Sequence, residues 1–232
     1  MVERLFGWIK DIPDSRDFEA RRLIYQALPL PKKYTVWPDT VIYDQNGDPA
    51  CSAFAATGCK TDQEFLQSKQ RVNFDGLWLY NECKKIDGIP DTPGTYPRVV
   101  MKILQEQGCR QKGSLCFQKK PDSYWAIQAY YRMGPESTDE AIKQVLYQYG
   151  SIVAACLWFE SWNNAKAMFP EPHGNNAGGH AFRIIGWDEI GWLVANSWGR
   201  LLWGVNGIST MPYKMFTKNV LPNGDIWKMV DK

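Results

Sequence analysis

Apolar residues recur at helical spacing through the first half of the chain and gather into strand-length runs through the second. From Cys51 to about Gln67 the pattern predicts a helix, with Phe54, Gly58, Phe65 and Leu66 on one packed face. Asn46-Gly47-Asp48-Pro49, just ahead of it, is a cluster of turn formers. Asp48 is the expected N-cap, and Pro49 suits the first turn, where its missing N–H is no loss. Residues 75–87 predict a second helix with Leu77, Tyr80 and Cys83 on one side. Beyond a proline- and glycine-punctuated segment, Val99, Val100, Ile103 and Leu104 mark a third, stopped by Gly108. Residues 109–136 read as irregular. Ser137-Thr138-Asp139-Glu140 then offers a capping box for a fourth helix, through Ile142, Val145, Leu146 and Tyr149 to Gly150.

After Gly150 the character changes. The runs 151–158, 180–187 and 191–198 are strand-like, and 206–213 and 225–230 offer two more. Residues 159–179 show no periodicity and read as a long loop. Helices first and strands after argue an α+β fold rather than alternating βαβ units. The expected divisions are an N-terminal arm at 1–27, a helical part at 28–136 and a β-rich part at 137–232. Leu5, Phe6, Trp8 and Phe18 make the arm apolar enough to pack along the body, over a cleft if one is there.

Composition narrows the function classes. The 232 residues are 44% hydrophobic, enough for a substantial core, and the net charge of +2 gives no basic surplus for nucleic acid. No apolar run approaches the ~20 residues of a membrane span, and the opening MVERLFGWIKDIPD lacks the form of a signal peptide. A monomer with neither nucleic acid nor membrane as partner is expected. The eleven tryptophans read first as core packing. The six cysteines (51, 59, 83, 109, 116 and 156) contain no CxxC and no zinc-type cluster with histidine, so no zinc site is expected.

Candidate chemistry centres on Cys51. The first turn of a helix, with unpaired N–H groups and the positive end of the dipole, favours a thiolate, although free cysteine is also among the most buried residue types. A thiol nucleophile needs a base, and the base an orienting partner. Of the two histidines, His173 lies in a polar loop, whereas His180 opens a strand-like run behind Gly178-Gly179. Asn196 ends the next run and can accept an imidazole N–H without adding a charge. Gln45 and the Cys51 backbone N–H are candidate donors for an oxyanion. The bland alternatives are a buried structural thiol, a hydrogen-bonded strand histidine, a turn-capping amide and a solvated glutamine.

Taken together, these segments resemble papain-like cysteine peptidases. Gln45-Asn46-Gly47 through Cys51-Ser52-Ala53-Phe54-Ala55 resembles the family's glutamine-to-cysteine motif. Gly178-Gly179-His180-Ala181 resembles its histidine motif. Asn196-Ser197-Trp198-Gly199, with Trp203-Gly204-Val205-Asn206-Gly207 after it, resembles its asparagine motif. The resemblance spans roughly Leu28 to Tyr213. It implies a two-lobed fold, helical and β-barrel-like, with the cleft between the lobes, and hydrolysis of a peptide or protein substrate through an acyl-enzyme with neither metal nor organic cofactor. By it Cys51 is the nucleophile, His180 the base and later acid, Asn196 its orienter, Gln45 an oxyanion donor, and Trp198 a shield for the His–Asn hydrogen bond. Gly94-Thr95-Tyr96-Pro97 resembles the ledge that holds the substrate backbone, with Gly179 and Ala181 bordering the cleft opposite.

The departures are Asp48 where the family usually has a cysteine, the absence of that cysteine's partner near Thr92 and Pro93, Ser52 where an aromatic usually follows the nucleophile, and Thr95 for the second ledge glycine. A version without the bridge suits a reducing, cytoplasmic compartment. The short GWIKDIPDSRDF opening resembles the arm of prokaryotic and phage-type relatives rather than a long inhibitory prosegment. Asp48 and Ser52 motivate a second reading, a catalytically silent binding module, and an amidase or isopeptidase is a third.

Overall fold

The sequence order of elements, in a computed structural model that describes residues 4–113 and 121–231, is β1 (Tyr34–Thr35), α1 (Cys51–Ser68), α2 (Gly76–Lys84), α3 (Pro97–Glu106), β2 (Ile127–Arg132), α4 (Asp139–Tyr149), β3 (Ile152–Phe159), β4 (Asn176–Trp187), β5 (Gly191–Ala195), β6 (Ile208–Pro212), α5 (Tyr213–Asn219) and β7 (Asp225–Asp231). The described strands form one antiparallel sheet in the order β2-β7-β3-β4-β5-β6, with β1 paired to β4. The fold is α+β, as expected.

Small residues decide where α1 sits. Its first two turns read Cys-Ser-Ala-Phe-Ala-Ala-Thr-Gly, and every residue from Cys51 to Glu64 is buried. The helix is therefore a central rod enclosed on all sides rather than an amphipathic surface helix with one packed face. Phe54, Phe74, Leu79, Val100, Met101 and Ile103 form a core around α1, α2 and α3. A second core, rich in tryptophan, joins α4 and α5 to the sheet through Ile142, Leu146, Trp158, Trp187, Trp192 and Phe216.

A buried polar knot ties the two cores together. Arg183 on β4 donates to Asp62 Oδ2 (2.7 Å), Gly58 O (3.0 Å) and Thr40 Oγ1 (3.1 Å), while Ser151 Oγ and Thr40 Oγ1 donate to the same carboxylate. Gly58 is the residue that lets the guanidinium in. A Cβ there would lie 2.6 Å from Arg183 Nε. The helix-propensity loss of about 1 kcal/mol at a mid-helix glycine thus gives a close contact in return.

Several local expectations give way to tertiary structure. Asp48 does not cap α1; Ala50 precedes it, with no side-chain cap, and Asp48 N–H closes a turn onto Gln45 O (2.9 Å). On α2 the buried side chains are Leu79, Tyr80 and Cys83, and Leu77 is exposed. Thr138 caps α4 through Ala141 N–H, without the reciprocal glutamate of a capping box. Residues 109–136, irregular by sequence pattern, contain β2, whose partner is the distant β7. The loop expected over 159–179 holds a short 3-10 turn, Glu160–Asn164, and the start of β4. Tyr213–Asn219 adds a helix after the last motif. Cys51, Cys59, Cys83, Cys109 and Cys156 are free thiols, and Cys116 lies outside the described residues.

Candidate active site

Three elements bring the expected residues together. α1 begins at Cys51 directly after the Gln45–Asp48 turn, which Asn46 and Gly47 make with positive φ. The helix dipole and the uncapped N–H groups therefore point at the thiol. β4 runs past it. Cys51 Sγ lies 3.3 Å from Ala181 N, which donates to it, and 4.0 Å from Gly179 O, so the residues on both sides of His180 border the sulfur.

β5 supplies the orienter. His180 Nε2 meets Asn196 Oδ1 at 2.8 Å, and the same oxygen accepts from Ser197 N–H at 2.7 Å. That backbone donor fixes which way the amide faces. The imidazole proton therefore sits on Nε2, and Nδ1 carries a lone pair with no hydrogen-bond partner among the described residues. Trp198 lies over the histidine with ring centroids 4.6 Å apart, and Trp158 meets its edge at 4.7 Å. Gln45 is held through its oxygen, which accepts from Ser197 Oγ at 2.6 Å, leaving Nε2 to donate to Asp48 O (2.6 Å) and Leu5 O (3.3 Å).

The cleft between these elements is filled by the chain's own arm. Trp8 N–H donates to Gly179 O (2.9 Å), Thr95 N–H to Gly7 O (2.9 Å) and Ile9 N–H to Thr95 O (3.2 Å). Gly7 N–H points at the Cys51 thiol. Phe6 packs edge-on to both His180 and Trp198, and the Arg4 guanidinium covers the outer face of Trp198 at 4.3 Å. Glycines make room for the arm. A Cβ at Gly94 would lie 2.5 Å from Gly7 O, and one at Gly179 would lie 2.4 Å from Trp8 O. Tyr80 Oη accepts from Gly94 N–H and steadies the ledge, while Tyr96 and Pro97 start α3.

Burial under the arm sets the protonation state. Desolvation pushes the Cys51 thiol up to about 11, against the opposing N–H donors of Ala181, Gly7 and Ser52. It pulls His180 down to about 4, more than the Asn196 bond raises it. Both shifts favour the neutral thiol and imidazole over the thiolate and imidazolium.

All four residues expected at the reacting centre thus meet at one place, and the ledge and histidine-motif residues line the cleft beside them. Sequence reasoning missed Ser197, which holds Gln45 by its hydroxyl, and Trp158, which walls the histidine. It also missed Asp225, whose carboxylate lies beneath Trp8 (2.9 Å from the indole nitrogen). Ser197 stood inside a motif already singled out. Asp225 had no local signal.

Comparison with known proteins agrees with this geometry. The model of the family described as papain family cysteine protease matches residues 37–219. The chain belongs to that family. A cathepsin B-like cysteine proteinase 4 of Caenorhabditis elegans is 37% identical over 229 residues, covering 75% of this chain and 67% of the relative. A cathepsin B-like cysteine proteinase of Schistosoma japonicum is 30% identical over 127 residues, 52% of this chain and 36% of its own length. An uncharacterized peptidase C1-like protein of Acanthamoeba polyphaga mimivirus is 26% identical over 97% of this chain and 86% of its own. The match thus spans little more than a third of the Schistosoma relative and nearly all of the viral one. Among solved structures, xylellain, a cysteine protease from Xylella fastidiosa, superposes with a TM-score of 0.81 at 23% identity, covering 99% of this chain and 97% of that one. Its likeness bears on the fold and supports the two-lobed architecture.

Proposed function

We propose that this chain is a cysteine peptidase in which Cys51, His180 and Asn196 carry the reaction and Gln45 assists, and that the arm at residues 4–9 holds it at rest. The observation that carries the reading is the imidazole. Asn196 occupies Nε2, Nδ1 is free, and the residues flanking His180 border the Cys51 sulfur.

With the arm out of the cleft, water and substrate dipoles restore the ionised pair, as Cys51 passes its proton to His180 Nδ1. The thiolate attacks a peptide carbonyl carbon; a C–S bond forms and the carbonyl oxygen gains the charge. The donors assigned to that oxygen are the Cys51 backbone N–H and Gln45 Nε2, whose bond to Leu5 O is given up when the arm leaves. The C–N bond breaks as His180 returns its proton to the leaving amine. Water then attacks the thioester, His180 takes its proton, and the C–S bond breaks to release the acid and the thiol. Asn196 keeps the imidazole in one tautomer throughout.

The arm lies where a substrate backbone has to lie, and it presents Gly7 N–H to the sulfur. A decisive test measures hydrolysis of a mixed peptide pool by full-length Trp8→Ala, with and without Cys51→Ala. Turnover is expected only where Cys51 is present. Equal hydrolysis by both proteins overturns the proposal.

A further inference from the structure

Two of the departures from the family pattern touch each other. Ser52 stands where an aromatic usually follows the nucleophile, and Thr95 stands for the second ledge glycine. They are 43 residues apart in the chain, yet Ser52 Oγ donates to Thr95 O at 3.4 Å. Both residues are buried. That distance is beyond the usual span for a hydroxyl donor, so the bond is weak. The same carbonyl accepts the Ile9 N–H of the arm at 3.2 Å. Ser52 is also the second residue of α1, beside the thiol. The helix has no side-chain cap, and both the backbone N–H and the hydroxyl of Ser52 reach the Cys51 sulfur. The hydroxyl therefore has two acceptors within its swing, a neutral carbonyl at poor distance and the sulfur.

We infer that the Ser52 hydroxyl is a further catalytic group, which turns from Thr95 O to the Cys51 sulfur as the thiolate forms. The inference rests on the peptidase reading. While the thiol is neutral the hydroxyl stays on the ledge carbonyl. When the thiol proton passes to His180, the sulfur carries a full charge, and a charge-assisted hydrogen bond is roughly twice as strong as a neutral one. The hydroxyl then exchanges a long bond to a carbonyl for a bond to an anion, and the exchange favours the ionised state. Rotation about the Ser52 Cα–Cβ bond is the whole movement. Substrate promotes it, because a peptide N–H that takes the place of Ile9 on Thr95 O competes with the hydroxyl for that acceptor. The titratable group beside the sulfur on β4 is His180, on which the Arg4 charge of the arm acts, and the other groups that reach the sulfur are the uncharged donors of Ala181, Gly7 and Ser52. Release of the arm takes Gly7 and Arg4 away and leaves Ala181 and Ser52 in place.

The test uses the full-length chain with Trp8→Ala throughout, so that the arm is released. The rate of Cys51 alkylation by iodoacetamide is measured against pH, with Cys59, Cys83, Cys109 and Cys156 as buried reference thiols that report a folded body. The inflection for thiolate formation is expected to lie higher in Trp8→Ala/Ser52→Ala than in Trp8→Ala by about one to two pH units, the span of a hydrogen bond to a charged group. The acid limb of kcat/KM is expected to move by the same amount. Trp8→Ala/Ser52→Thr, which keeps the hydroxyl, is expected to restore both. A serine that only packs would leave the inflection where it was. Equal inflections in Trp8→Ala and Trp8→Ala/Ser52→Ala overturn the inference, as does a folded Trp8→Ala/Ser52→Thr that titrates like the Ser52→Ala protein. Should the reference thiols of the Ser52→Ala protein become reactive, Trp8→Ala with its own serine supplies the answer. There the Thr95 carbonyl carbon NMR signal is expected to move upfield through the inflection of the thiol, as the carbonyl loses the hydroxyl, and a stationary signal overturns the inference. Should no peptide be cleaved, the peptidase reading fails, whereas the alkylation profile needs no turnover and still upholds or rejects the role of Ser52.

Discussion

Removing the Trp8 side chain tests how firmly the arm closes the cleft. Trp8 is 7% exposed, and its indole N–H is bonded to a buried carboxylate. A tryptophan buries about 150–250 Å². At about 25 cal/mol per Å² that burial is worth roughly 4–6 kcal/mol, and truncations of buried tryptophan to alanine cost about 3–5 kcal/mol. A loss of about 4 kcal/mol shifts the balance between docked and released arm by on the order of a thousandfold. The assay is alkylation of Cys51 by iodoacetamide in the full-length protein, followed by peptide mass spectrometry. Cys59, Cys83, Cys109 and Cys156 are buried elsewhere and report on the integrity of the body in the same sample. The expected result is slow labelling of Cys51 in the native chain and labelling accelerated by at least a hundredfold in Trp8→Ala, with the four reference thiols still protected. An arm peptide added in trans is expected to slow it again. Equal rates in the two proteins refute the reasoning, because the arm would then contribute nothing to closing the site.

Other perturbations follow from single contacts. Docking of the arm is expected to weaken with rising pH. Burial and the neighbouring Asp225 charge hold Asp11 up to about 7 in the docked state, against the opposing Arg98 charge and the Trp227 N–H. Docking therefore takes up a proton, is most favourable below about pH 4, and loses that contribution as pH rises through about 7. Hydrogen exchange at Trp8 and Thr95, corrected for intrinsic rates, is expected to be faster at pH 8 than at pH 5, with the difference flattened in Asp11→Asn. Asn196→Ala in an arm-released background is expected to lower kcat by about 100-fold or more with a smaller change in KM, since the imidazole loses the acceptor that sets its tautomer; an unchanged kcat removes Asn196 from the reaction. Asp62→Ala leaves the Arg183 guanidinium buried without its carboxylate and is expected to cost about 3–5 kcal/mol in denaturant unfolding. A loss well under 1 kcal/mol would show that water or Thr40 compensates. Gly58→Ala is expected to destabilise despite its better helix propensity, because the added Cβ meets the same guanidinium; a stabilised protein contradicts the packing.

The grouping of Cys51, His180 and Asn196 was legible because their surroundings are written in short segments. Gly178-Gly179-His180-Ala181 lies on β4, and Asn196 follows directly after the end of its antiparallel neighbour β5, so the pairing of the two strands brings His180 and Asn196 to one rim. The helix at Cys51 was legible for a related reason, since a turn cluster followed by small residues has few other outcomes. What could not be read is what depends on a distant partner. β2 exists because β7 pairs with it, and Ile-Gln-Ala-Tyr-Tyr-Arg shows no alternation that would announce a strand. Asp48 has the residue type of a cap, yet the turn back to Gln45 uses its backbone and leaves the helix to begin uncapped at Cys51. An uncapped start keeps N–H groups free near the sulfur.

The arm shows the same limit in a more consequential form. Leu5, Phe6 and Trp8 read as an apolar arm packing along the body or over a cleft, with nothing in the sequence to say against which residues. Their destination is decided by Gly94, Gly178 and Gly179, whose missing side chains admit the arm, and by Asp225, which receives its indole. A Cβ at Gly178 would lie 2.7 Å from that of Phe6. Those same glycines leave room for the backbone of any extended peptide. The features that make the cleft able to hold a substrate are thus the features that let the arm fill it, and one segment both covers the thiol and strips it of the water that would ionise it. On the proposed peptidase reading, release of the arm is expected to do two things at once: to open the cleft, and, by admitting water, to bring the Cys51 pKa down and that of His180 up. An activity switched in this way turns on more steeply than occlusion alone would give, because the fraction of accessible sites and the fraction of ionised sites rise together.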